Sequence, residues 1–148
     1  MKTGYRKVTL LGLLFFVTLN AYASPPAENK LVIEYQRSGG YAGVDENFSI
    51  FLHGQIVLNG NPNGQAEVQE IDELLQQIET LGFYDLAPKY VPKDTCCDRF
   101  FYQLKVTNGI KDNTVSAVDG APSAPAQLWE MLKLVKHFVE TETIVSPQ

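Results

Sequence analysis

The chain has 148 residues, with 12 Lys and Arg against 17 Asp and Glu, a net charge of −5. That acidity argues against a nucleic-acid backbone or an anionic membrane surface as partner, because both demand clustered cations. A chain of this length folds as one domain around a single core.

Lys2, Arg6 and Lys7 give a basic start, residues 8–19 form a short apolar run, and Ala21-Tyr22-Ala23 supplies small residues at a cleavage position. This order predicts a secretory signal peptide over 1–23. The run of about 12 residues falls well short of the ~20 needed to span a bilayer. No stable membrane insertion is expected after cleavage, and the expected location is secreted or periplasmic. Cleavage removes three cations and no acids, leaving nine Lys and Arg against 17 Asp and Glu, net −8 over 125 residues.

Residues 24–30 form a polar, proline-bearing lead-in. From Leu31 to Gln36 the pattern alternates, with Leu31, Ile33 and Tyr35 on one side, which predicts a first strand. Next comes Arg37-Ser38-Gly39-Gly40-Tyr41-Ala42-Gly43, a glycine-studded turn that can fold sharply and bring bare backbone close to a partner. A second strand follows, in which Phe48, Ile50 and Leu52 alternate with Ser49, Phe51 and His53. A short third strand covers 55–59, and residues 59–64, Asn-Gly-Asn-Pro-Asn-Gly, read as a turn cluster.

The period then changes. Val68, Ile71, Leu74, Leu75, Ile78 and Leu81 recur at helical steps, predicting a helix over 66–81 that Gly82 stops, with Phe83 closing its end. Residues 88–98 look irregular. Residues 100–106 alternate, Thr107-Asn108-Gly109 turns, and 114–118 is β-like, predicting a hairpin over 100–118. A last helix follows Ser123 and Pro125. Its stripe of Leu128, Met131, Leu132, Val135, Phe138 and Val139 runs to about Glu140, and a frayed tail covers 141–148. Trp129 lies beside that stripe as a packing residue. The expected fold is a two-layer α+β domain over 31–140. An antiparallel sheet of about five strands carries two helices on one face, in the order βββ-α-ββ-α.

Catalytic patterns are missing from the chain. It contains no His-Glu-x-x-His pair, no Gly-x-Ser-x-Gly elbow and no phosphate-cradling loop. His53 ends a strand, and His137, placed in the last turns of the final helix, favours the macrodipole. The expectation is therefore a protein that is not an enzyme and uses no cofactor or metal. The adjacent pair Cys96-Cys97 lacks a partner Cys or His at metal-ligand spacing. Three readings stand side by side for it: two inert thiols, a strained vicinal disulfide, or a bond between chains. A thiol-linked redox role would follow from a reactive pair.

The turn at 37–43 is the strongest candidate for binding. Arg37 offers a bidentate fork for a carboxylate and Tyr41 a rigid amphipathic ring, both residue types enriched at interface centres. The competing reading is a plain hairpin turn with Arg37 solvated and Tyr41 folded onto the sheet.

At these residues the chain resembles the emfourin family, small protein inhibitors of thermolysin-like zinc metallopeptidases. The likeness is carried by the first strand running into Arg37-Ser38-Gly39-Gly40-Tyr41-Ala42-Gly43. It continues through the helix ending in Leu81-Gly82-Phe83, the strand over 98–106 with Phe100, Phe101 and Tyr102, and the proline-led last helix, covering roughly 31–139. The secretory leader and the cysteine pair depart from the family pattern. The resemblance implies a thermolysin-like metallopeptidase as partner, with residues 37–43 as the contact and the 88–98 loop beside them. The alternative is a non-enzymatic cell-envelope interaction module.

Overall fold

A computed structural model describes residues 30–94 and 98–144. The expected signal peptide, residues 24–29 of the lead-in, the pair Cys96-Cys97 and residues 145–148 lie outside the described residues.

The strands are β1 (Leu31–Gly39), β2 (Val44–Phe51), β3 (Gln55–Leu58), β4 (Asn61–Gln65), β5 (Lys89–Tyr90), β6 (Phe100–Thr107) and β7 (Asp112–Val118). Helix α1 (Val68–Thr80) follows β4, a 3₁₀ turn (Phe83–Asp85) precedes β5, and helix α2 (Ala126–Ile144) closes the chain. The strands make one seven-stranded sheet in the order β4-β3-β2-β1-β6-β7-β5. The α+β class is as expected, but the sheet is larger than five strands and mixed, because β5 runs parallel to β7.

Both extra strands sit at the sheet edges. Within the expected turn cluster only Asn59 and Gly60 turn, with φ of 49° and 80°, the left-handed pair that suits a two-residue hairpin. The polar residues after them return along β3 as β4. Pro62 fits there because an edge strand leaves one side of its backbone unpaired. β5 is two residues long, too short to produce a readable period.

β1 is the central strand, paired antiparallel with β2 on one side and β6 on the other. A register irregularity between Leu31 and Ile33 breaks its alternation, so the neighbours Val32 and Ile33 are both buried. Further along, Tyr35 of β1, Phe48 and Ile50 of β2 and Leu104 and Val106 of β6 point into a single core. The same core takes Ile71, Leu74, Leu75 and Ile78 from α1 and Leu128, Met131, Leu132, Val135 and Val139 from α2. Alternate strand residues such as Gln36, Asn47 and Gln103 are exposed.

Helix α1 starts where Glu67 donates its backbone N–H to the Glu70 carboxylate at 2.9 Å, half of a capping box. It stops at Gly82, whose φ of 83° is left-handed. The chain then drops Phe83 into the core with no residual exposure. The Asn113 side chain of β7 donates to the carbonyls of Phe83 and Leu86 at 2.9 and 3.1 Å, fastening this exit to the sheet. Helix α2 continues four residues beyond the expected end at Glu140. His137 therefore sits almost two turns inside the helix, where the macrodipole contributes little, and that expectation is corrected.

Phe83→Ala should cost about 3–5 kcal/mol by opening a cavity in the core. Gly82→Ala meets nothing within 4 Å, so only the backbone conformation opposes it, at about 1 kcal/mol. Urea unfolding midpoints of the two variants measure the difference.

Candidate functional site

Because β1 runs through Gly39, three of the seven expected contact residues, Arg37, Ser38 and Gly39, belong to a paired strand rather than to the turn. Only Gly40, Tyr41, Ala42 and Gly43 cross from β1 to β2. The Gly43 N–H donates to the Gly40 carbonyl at 3.0 Å and closes the turn on itself. Gly39, Gly40 and Gly43 have φ of 101°, 69° and 63°, a region that L side chains avoid.

Two of these glycines are also sites of close approach. A Cβ on Gly39 would run into the Arg99 carbonyl oxygen, and one on Gly40 would lie 2.6 Å from the Phe100 ring. At Gly43 there is open space. The Gly40 N–H donates to the Arg99 carbonyl at 3.1 Å. Behind that contact the Phe100 N–H donates to the Asp119 carboxylate at 3.2 Å, and the Asp119 N–H donates to the Phe100 carbonyl at 3.0 Å. The root of the turn is thus braced through the start of β6 to the chain just after β7. From this root Tyr41 projects with 93% of its surface exposed, and Ala42 and Gly43 are exposed beside it.

Arg37 does not share that exposure. It follows Ile33 and Tyr35 at steps of two on the core side of β1, opposite Glu46 of β2 and Tyr102 of β6. Its guanidinium carbon lies 3.8 Å from the centre of the Phe100 ring, a cation–π contact worth about 1–2 kcal/mol when partly desolvated. Nη1 lies 3.7 Å from the Glu46 carboxylate. Lys136 of α2 donates to both oxygens of that carboxylate at 3.1 and 3.2 Å. Arg37 is therefore engaged as a brace between sheet and helix, neither solvated nor held out as a fork. Continuing the β1 alternation past Gln36 is the signal that locates it. Ser38 points to the other face, half-buried, opposite Asp45 and Phe101.

Of the 88–98 segment, the described residues at its start lie along the far edge of the sheet from the turn. Lys89 and Tyr90 pair with β7, three strand positions from β1, whereas Arg99 and Phe100 just beyond the segment touch Gly39 and Gly40. His53 is half-buried with Nδ1 unpartnered among the described residues. Trp129 is half-buried and meets Tyr102 edge-on at 5.6 Å. Among the described residues no three His, Cys, Asp or Glu side chains gather as a metal site would require. No described helix is long and apolar enough to cross a membrane.

The alanine series across the turn should separate the two uses of glycine. Gly43→Ala should cost about 1 kcal/mol for its conformation alone. Gly40→Ala should cost about 2 kcal/mol and Gly39→Ala about 3 kcal/mol or more, since each adds overpacking, against a ring and against backbone respectively. Chemical denaturation gives the order directly.

The Tyr35 hydroxyl provides a pH test. Burial, followed by the nearby Glu46 charge, pushes its phenol well above the usual range, near 10 for a free tyrosine. The folded state therefore holds this proton to higher pH than the unfolded chain. The contribution of Tyr35 to stability should be level below about pH 10 and fall above it, as the unfolded state ionises first. Tyr35→Phe should flatten the fall in urea midpoint between about pH 10 and 11 relative to the parent.

No protein-family model and no curated protein matches the chain, so its function has to be read from these residues.

Proposed function

We propose that the chain is a non-enzymatic inhibitor of a thermolysin-like zinc metallopeptidase, acting in a secreted or periplasmic setting through residues 40–43. The observation that carries this reading is Tyr41, 93% exposed on a four-residue turn whose root is hydrogen-bonded to Arg99. A protein inhibitor gains affinity when the ordering cost of its contact loop is already met by the fold. The short turn, the glycine contacts with β6 and the Arg37 brace all serve that end. The resemblance to emfourins over 31–139 supplies the partner class.

In this mechanism Tyr41 enters a cleft of the peptidase, while exposed backbone at Ala42 and Gly43 offers hydrogen-bonding groups alongside. No side chain of the turn is a zinc ligand. Arg37 acts here from within the strand by bracing the root of the turn, and Ser38 lies on the other face of β1.

The test is inhibition of thermolysin by the parent protein and two variants. Tyr41→Ala should raise the inhibition constant about 30-fold or more, the size of a ~2 kcal/mol interface anchor. Ile110→Ala is the control, because Ile110 is 92% exposed but lies in the β6–β7 turn at the opposite end of the strands. It should leave inhibition unchanged. A parent protein that does not inhibit removes the reading, and equal losses in the two variants remove the turn from it.

A further inference from the structure

A cavity of about 150 Å³ opens between β1, β6 and α2, apart from the exposed turn. Its inner wall is Tyr35 and Leu132, 3% and 5% exposed. Its sides are Tyr102 and Trp129, set edge-to-face. Arg37, Lys133 and Lys136 complete the lining and carry its charge. An apolar cavity of ~150 Å³ is large enough to take one benzene-sized group.

The charges around it are unevenly paired. Lys136 takes up both oxygens of Glu46 and lies 3.8 Å from the exposed Glu140. Arg37 reaches the same Glu46 carboxylate only at 3.7 Å, and its Nε is buried without a hydrogen-bond partner among the described residues. Lys133 makes no ion pair among the described residues. Asp119 stands by the Tyr102 hydroxyl, so Lys133 is the lining cation left without a carboxylate partner among the described residues. A neutral apolar ligand would leave Lys133 unpaired. A bare inorganic anion would leave the aromatic walls unfilled.

We propose that this cavity binds a carboxylate carried on a single ring or a short branched apolar group. The apolar body lies against Trp129, Tyr102 and Leu132, and the carboxylate faces Lys133 and Arg37. Two sources present that chemistry: a free arylacetic-type acid, and the C-terminal residue of a peptide, whose carboxylate is a recurring recognition handle.

Trp129 is the only tryptophan in the chain, so its fluorescence reports on the cavity wall. The titrants are phenylacetate, its neutral isostere phenylacetamide, and Gly-Gly-Phe with a free or amidated C-terminus. Backbone amide shifts are followed in parallel. Phenylacetate should give a saturable change with a dissociation constant of about 1 mM or below, a reasonable affinity for a ligand of ten heavy atoms. Phenylacetamide should bind about tenfold more weakly or worse. Lys133→Gln, at an exposed position, should weaken phenylacetate about 3- to 10-fold and leave phenylacetamide unchanged. Tighter binding of the free-acid peptide than of its amide assigns the site to chain ends, and binding of phenylacetate alone assigns it to free acids. Equal binding of acid and amide overturns the proposal. So does shift mapping away from β1, β6 and α2, or the lack of a saturable change up to about 20 mM phenylacetate.

Discussion

Where β1 runs into its turn, Gly39 and Gly40 lie so close to the Arg99 carbonyl and the Phe100 ring that no Cβ fits. Much of that end follows from it. With β1 drawn against the start of β6, the Phe100 ring lies within reach of the Arg37 guanidinium. Arg37 can then stay on the core side of the sheet without losing all solvent, and it shares Glu46 with Lys136 of α2. One carboxylate thus joins the central hairpin to the last helix. Ion pairs that keep some solvent contribute about 1 kcal/mol each, so the tie acts chiefly by positioning, with the stacked ring and the buried apolar contacts supplying most of the stabilisation.

The consequence is a division of labour within seven residues. The first three stay in the sheet and brace it, and the next four leave it. Tyr41 is the large hydrophobic side chain of this segment without a protein surface to cover it. The turn can expose it at modest conformational cost, since φ is set by glycines and the ends are tied by backbone hydrogen bonds. A floppy glycine loop would carry the same residues but would lose more entropy on binding. Arg37 also lines the cavity beneath α2, so the turn and the proposed carboxylate site share one guanidinium.

Much of the architecture was legible from periodicity alone. The helical stripe of Ile71, Leu74, Leu75 and Ile78 with its stop at Gly82, and that of Leu128 to Val139, have repeats long enough to dominate local ambiguity. The β6–β7 hairpin was legible for the same reason. β4 was hidden because its five residues, Asn61-Pro62-Asn63-Gly64-Gln65, are turn formers that pair only as an edge. β5 was hidden by its length. A charged residue beside glycines suggests a loop, whereas the spacing of Arg37 from Ile33 and Tyr35 puts it within β1 on the core side. Trp129 beside the apolar stripe suggests packing, and it does meet Tyr102, but the cationic line of Lys133 and Lys136 beside it gains meaning only when α2 lies over Tyr35 and Tyr102. That juxtaposition is tertiary and leaves no periodic mark.

The central claim is that the turn is held in place before any partner arrives. Backbone ¹⁵N relaxation at Gly40, Tyr41, Ala42 and Gly43 measures this directly on the free protein. A braced turn gives order parameters of about 0.8 or above, close to those of β1 and β6; values below about 0.6 would show a mobile loop and contradict the claim.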